Sequence, residues 1–195
     1  MNYWYKIICL FVGVTALGGC AHSIQLSPNL DNIREIKVSE KIDKNVGYYI
    51  SRNDLNKEVI TPGGGGDKVK YQPYKDTEAA LNTILSRVFN KVYFVNDIGD
   101  IHYLSDKNII YIFKPNIKTD SSSNSPFTWP PTEFIFELTC SAIDATGTNI
   151  WEKTVTAKGQ AEFSEFKNDF SLSARRASDK AFQKMMIEIS NANKF

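Results

Sequence analysis

Long alternating runs and two amphipathic helices predict an α+β fold: a single, mostly antiparallel sheet with two helices packed on one face. Three observations carry this reading. Leu81, Ile84, Leu85, Val88 and Phe89 fall at i, i+3, i+4, i+7 and i+8, one apolar stripe. Glu133 to Asp144 and Ile150 to Phe163 alternate apolar and polar residues across the Gly-containing connection 145–148, the pattern of an antiparallel hairpin. Ala174, Ala177, Ala181, Phe182, Met185 and Ile189 make a second helical stripe between Asp169 and Asn191.

The elements follow in chain order. Ile36-Lys37-Val38 is a weak strand signal, and Val46 to Ser51 a stronger one, with Val46, Tyr48 and Ile50 on one face. The run Thr61-Pro62-Gly63-Gly64-Gly65-Gly66-Asp67 suits neither helix nor strand. Asp76 or Thr77 is expected to cap a helix reaching about Asn90. Lys91 to Val95 returns as a strand. Ile109 to Phe113 is apolar on both faces, as in a central strand covered on each side. A polar loop, Thr119 to Pro131, precedes the hairpin, and Trp151, Val155, Ala157, Ala161 and Phe163 are expected on one side of its second strand. No internal repeat and no second domain is visible.

The N-terminus carries the clearest functional signal. Lys6 precedes the apolar run Ile7 to Leu17, and Gly18-Gly19 precede Cys20, the pattern of a secretory leader. About 11 apolar or small residues fall short of the roughly 20 that span a bilayer. Leu17-Gly18-Gly19-Cys20 resembles the lipobox of bacterial lipoproteins. That resemblance implies cleavage before Cys20 and acyl chains on it. An uncleaved anchor helix and a plain secreted protein with a free Cys20 are the competing readings. Two or three chains anchor stably, because each buried CH₂ contributes about 0.8 kcal/mol. Ala21, rather than Asp, follows Cys20, which resembles an outer-membrane destination if the source is Gram-negative.

The domain reading is then residues 1–19 as signal peptide, 20–32 as acylated tether, and 33–195 as one α+β periplasmic domain. Fully extended, the tether would reach roughly 40 Å. The leader holds one of the 23 basic residues, Lys6, and none of the 22 acidic ones, so the mature chain is neutral. Neutrality argues against a nucleic-acid partner and against polybasic attachment to anionic lipid. Membrane contact would rest on the acyl chains of Cys20. Cys9 leaves with the leader, so Cys140 has no intramolecular partner, and its alternation with Phe134, Phe136, Leu138 and Ala142 suggests a buried strand position.

Chemistry-bearing motifs are sparse. The Gly63–Gly66 run beside Lys68 lacks the G-x-x-x-x-G-K-[ST] order of a phosphate loop, since Asp67 intervenes and Val69 follows. His22 and His102 are the two histidines, with no nucleophile-elbow pattern near either. The scattered carboxylates identify no acid/base pair. Arg175-Arg176 reads as a solvated helix face or as a contact for an acidic partner. Phe127 and Trp129 stand among Pro126, Pro130 and Pro131; they are read either as a partner-binding loop or as a plug over the sheet edge.

The lipobox, the Val46–Ser51 strand, the capped helix at 76–90 and the closing hairpin plus helix together resemble small periplasmic lipoprotein domains. The likeness is to the YajG type and to the α/β domain shared by LpoB, CsgG and the N-terminal domain of TolB. Fold likeness alone assigns no function. The absence of a recognisable site motif and the anchored single domain lead to the expectation of an outer-membrane-anchored, non-enzymatic envelope accessory factor, with its domain in the periplasm, an envelope protein as partner and no cofactor or metal. An envelope hydrolase acting on glycan or peptide, and a lipid- or glycolipid-binding module, are the alternatives.

Overall fold

The computed structural model describes residues 21–38, 40–123 and 130–195. The described residues form two sheets and six helical segments. Strands are β1 (Ala21–Ser23), β2 (Ile42–Tyr48), β3 (Val59–Pro62), β4 (Lys68–Tyr71), β5 (Phe89–Phe94), β6 (Ile109–Ser122), β7 (Glu133–Asp144) and β8 (Asn149–Gln160). Helices are α1 (Leu30–Glu35), α2 (Arg52–Leu55), α3 (Pro73–Val88), α4 (Ile101–Asp106), α5 (Phe163–Phe166) and α6 (Leu172–Ser190).

This corrects the predicted single antiparallel sheet with two helices. The larger sheet has the order β5-β2-β6-β7-β8 and is mixed: β2 runs parallel to both β5 and β6, whereas β6, β7 and β8 are antiparallel. The second sheet has three strands in the order β1-β4-β3. Two physical reasons separate expectation from outcome. Strand direction leaves no trace in a period-2 pattern, and a parallel pair needs a crossover, which α3 supplies between β2 and β5. Strands of three or four residues are also too short to display alternation at all.

The long elements behave as their patterns dictate. β6 and β7 form a continuous ladder from Ser122↔Glu133 to Tyr111↔Asp144, and β7 and β8 pair from Glu133↔Gln160 to Ala142↔Trp151, beyond which the register shifts to Ile143↔Asn149. Phe134, Phe136, Leu138, Cys140 and Ala142 point from β7 into the core, where α3 and α6 lie side by side. α3 buries Leu81, Ile84, Leu85 and Val88; α6 buries Ala174, Ala177, Ala181, Phe182, Met185 and Ile189. The opposite face of the sheet carries a smaller core of Val95, Leu104, Ile109, Ile112 and Ile143 under α4. Ile112 and Phe113 therefore face different cores, and β6 lies between β2 and β7.

Three local expectations change. α3 starts at Pro73, whose fixed φ and missing N–H suit the first helical position, so Asp76 and Thr77 lie inside the helix. Phe89 belongs to β5, fully buried. Ile36 ends α1 instead of opening a strand, its N–H reaching the Ile33 carbonyl.

Close approach of backbone decides one further position. A Cβ on Gly159 in β8 would collide with the backbone carbonyl of Ser173 and lie 2.5 Å from the Ala177 nitrogen. Glycine is what lets α6 settle directly on β8.

Candidate functional site

The N-terminal segment, read from sequence as a tether, is built into the domain. β1 adds a parallel strand to β4, with Ala21↔Lys68, His22↔Val69 and Ser23↔Lys70. Ile24 N–H then donates to the Lys70 carbonyl at 3.0 Å, and Gln25 N–H donates to Ser171 Oγ at 3.0 Å. Leu26 is held at both of its backbone polar groups. Its N–H donates to Asp76 Oδ2 at 3.1 Å, and its carbonyl accepts from Ser178 Oγ at 2.5 Å. Ile24, Leu26 and Ile33 are core residues, and Asn29 caps α1 by accepting from Asp31 N–H. The apolar spacing Ile24, Leu26 and the cap at Asn29 were the available signals; the partners at 67–76 and 171–179 lie too far along the chain to be read locally.

Burial sets the chemistry of the clasp. Asp76 is half-buried, which pushes its pKa up from the ordinary aspartate value, opposed by the hydrogen bond from Leu26 N–H. Its carboxylate is a positioning group for the incoming chain. Four residues before Leu26, His22 Nε2 lies 3.3 Å from Asp67 Oδ2, a half-exposed pair at the mouth of the β3–β4 turn.

That turn is the Gly-rich run. Gly65 and Gly66 have φ of 65° and 86°, and Gly63 N–H donates to the Asp67 carbonyl while Asp67 N–H donates to that of Gly64. The backbone donors at Gly63 and Asp67 are spent on the turn itself. A hydroxyl chain then ties the small sheet to the large one. Ser121 Oγ lies 2.6 Å from Thr61 Oγ1 and donates to the Pro62 carbonyl, and Tyr71 OH lies 2.7 Å from Thr119 Oγ1.

The residues singled out from sequence fall as follows. Cys20, Phe127 and Trp129 lie outside the described residues. Their flanks are placed: Ala21 in β1, and Pro131 at the carbonyl that accepts from Ser173 Oγ. Cys140 sits in the middle of β7, and burial pushes its thiol up to about 12, so it packs as a small hydrophobe. His102 is exposed in α4, and His22 lies in the small sheet. Among the described residues no group of three His, Cys, Asp or Glu side chains could hold a metal.

Arg175 and Arg176 are structural clamps. Arg176 forks onto Glu165 at 2.8 and 3.1 Å and also donates to the Gln160 carbonyl, while Arg175 pairs with Asp169. The Arg176 hydrogen bonds hold Glu165 down at about 2. Glu133 is lowered by the hydrogen bond from Lys158, and Asp144 by that from Thr146. Each of these carboxylates is thus committed to a structural partner.

Two surface clefts are notable. One, of about 420 Å³, opens at the carboxyl ends of the parallel strands β2 and β5, where open α/β sheets form ligand crevices, and is lined by Tyr49, Ser51, Arg52, Asn53, Phe94 and Asn96. Another, of about 470 Å³, lies between the clasped N-terminal segment and α6, lined by Pro28, Asn29, Asn32, Arg175 and Asp179 among others. No described helix is long and apolar enough to cross a membrane.

No protein-family model and no curated protein matches the chain. Among solved structures, it is similar to protein XCC0632 from Xanthomonas campestris at 10% identity, covering 88% of this chain and 91% of that one, with a TM-score of 0.45. It is also similar to the PelC dodecamer from Paraburkholderia phytofirmans at 14% identity, covering 76% and 93%, with a TM-score of 0.41. Likeness at this level carries no argument about activity, which must come from the residues themselves.

Proposed function

We propose that this protein is an outer-membrane lipoprotein, acylated on Cys20, whose domain lies in the periplasm and serves as a non-enzymatic accessory factor for an envelope protein. The observation that carries the reading is the sequence Leu17-Gly18-Gly19-Cys20 behind a short cationic, apolar leader. The neutral mature chain supports it, because attachment then rests on covalent acyl chains rather than on charge. The partner surface includes Phe127 and Trp129.

Two measurements test it. Intact mass and labelled-palmitate incorporation should show acylation on Cys20 that the Cys20→Ser variant lacks. In vivo cross-linking from outer-membrane fractions should capture a partner that is lost when Phe127 and Trp129 are both changed to Ala. Retention of every partner by that double variant sinks the role of the loop. An unmodified Cys20 in the exported protein sinks the anchor.

A further inference from the structure

We infer that the domain has a fixed membrane-facing end, formed by the Pro62–Lys68 turn, the paired strand ends at Ser122 and Glu133, and the segment from Ala161 to Ser171. The inference rests on the proposed acylation of Cys20 and adds to it a surface and an orientation.

Slack is the first argument. A free segment from 21 to 32 would have let the domain wander some tens of ångströms from the bilayer. Ala21 is instead already paired in β1, and the five residues behind it are bonded to Lys70, Ser171, Asp76 and Ser178. One peptide step, about 3.8 Å between Cα atoms, separates the acylated residue from the sheet. Leu26 in the core and the clasp on its backbone make this docking expensive to undo.

Adjacency names the surface. Ala21 pairs with Lys68 and Lys68 with Pro62, and the Pro62 carbonyl accepts from Ser121 Oγ at the end of β6. Ser122 pairs with Glu133, Ala161 N–H donates to the Thr132 carbonyl, and Gln25 N–H donates to Ser171 Oγ. These backbones close around the attachment point. Lys68 and Lys167 are exposed there, as is the ring of Phe170 at 46%. Aliphatic stems with charged tips and a partly exposed ring suit the headgroup layer. Glu162 is exposed at the same end, so proximity is imposed by the acyl chains rather than by charge.

The opposite end is equally defined. β6 has 14 residues, so at about 3.3 Å per residue it runs some 40 Å away from the anchor. The β7–β8 turn (Asp144 to Thr148) and Lys107 therefore point into the periplasm. The β2–β5 cleft begins level with Phe113, which pairs with Tyr48, about 25 Å along β6 from Ser121, and opens toward the anchored end, because β2 and β5 run parallel to β6.

The test uses the full acylated chain in phosphatidylethanolamine/phosphatidylglycerol vesicles doped with a lipid bearing a headgroup quencher. A fluorophore is placed on Lys68→Cys or Lys167→Cys at the near end, and on Lys107→Cys at the far end; the native Cys140 is buried and stays unlabelled. Near-end labels should be quenched at least threefold more than the far-end label. A flexible 20-residue Gly/Ser insert between Cys20 and Ala21, with a root-mean-square reach of about 25 Å, should abolish the difference. Equal quenching of all labels on protein whose mass shows acylated Cys20 overturns the orientation and leaves the anchor standing. A mass without acyl chains overturns both.

Discussion

The two sheets are held together by different physics. The five-stranded sheet rests on apolar burial: Phe134, Phe136 and Leu138 from β7 meet Phe182 and Met185 from α6, and the centroids of Phe136 and Phe182 lie 6.0 Å apart. The three-stranded sheet buries Val69 and Tyr71 in the same core, with Ile24 and Leu26 from the segment that follows β1, and adds directional polar contacts to that burial. Thr61, Tyr71, Thr119 and Ser121 share hydroxyl hydrogen bonds, and Asp76 and Ser178 grip the Leu26 backbone. A large sheet can be built from whatever apolar residues fill its layer. A small one, with four-residue strands, needs particular partners at particular places.

Breaking each sheet should therefore look different. The largest effect is expected from Gly159→Ala, which forces a methyl into the Ser173 carbonyl and parts β8 from α6; a loss of at least about 3 kcal/mol in urea unfolding is expected. A change within about 0.5 kcal/mol would mean that the two backbones do not meet as closely as described. Leu26→Ala should cost about 2–3 kcal/mol and act locally. Hydrogen exchange should show faster exchange at Ile24 N–H, with the β6–β7 amides less affected; uniform acceleration across both sheets would refute the local docking. Ser121→Ala, which removes the hydroxyl between Thr61 and the Pro62 carbonyl, should cost about 1–2 kcal/mol, and Ser121→Thr should recover part of it.

The smallest effect sharpens the comparison through pH. Asp76 in the small-sheet clasp has a pKa above its ordinary value, so the folded state takes up its proton more readily than the unfolded one. Its ionised form weighs against folding at neutral pH, and that burden lifts as pH falls through the raised pKa toward 3.8. Glu165, paired with Arg176 beside the large sheet, runs oppositely: its contribution is present above 4.5 and is lost as pH falls from there toward 2. The pair is exposed, so salt should weaken it. Relative to Asp76→Asn, the native protein should gain stability between pH 7 and 4; parallel unfolding curves for the two would show that burial of Asp76 has no energetic consequence.

Legibility followed element length. The α3 and α6 stripes, the β7–β8 hairpin and the two-faced character of Ile109 to Phe113 could be read because each repeats over enough residues to expose its period. The parallel direction of β2 and β5, and the start of α3 at Pro73 rather than after a cap at Asp76, could not. Asp76 looks like a helix cap in one dimension and binds Leu26, 50 positions away, in three. Arg175 and Arg176 lie on a solvated face, as read, but the acidic groups they meet there, Asp169 and Glu165, belong to this chain and could not be picked out from the sequence.

By itself the sequence determined the long secondary structure, the absence of charge bias and the lipobox-like junction at Cys20, all of which are written in neighbouring residues. Tertiary structure alone decided that residues 21–26 are a strand and a clasp rather than a free leash. That outcome depends on hydrogen bonds to Lys70, Asp76, Ser171 and Ser178, which only folding brings within reach. Three residues of strand have no period to recognise, and a backbone N–H carries no sign of the carbonyl it will find.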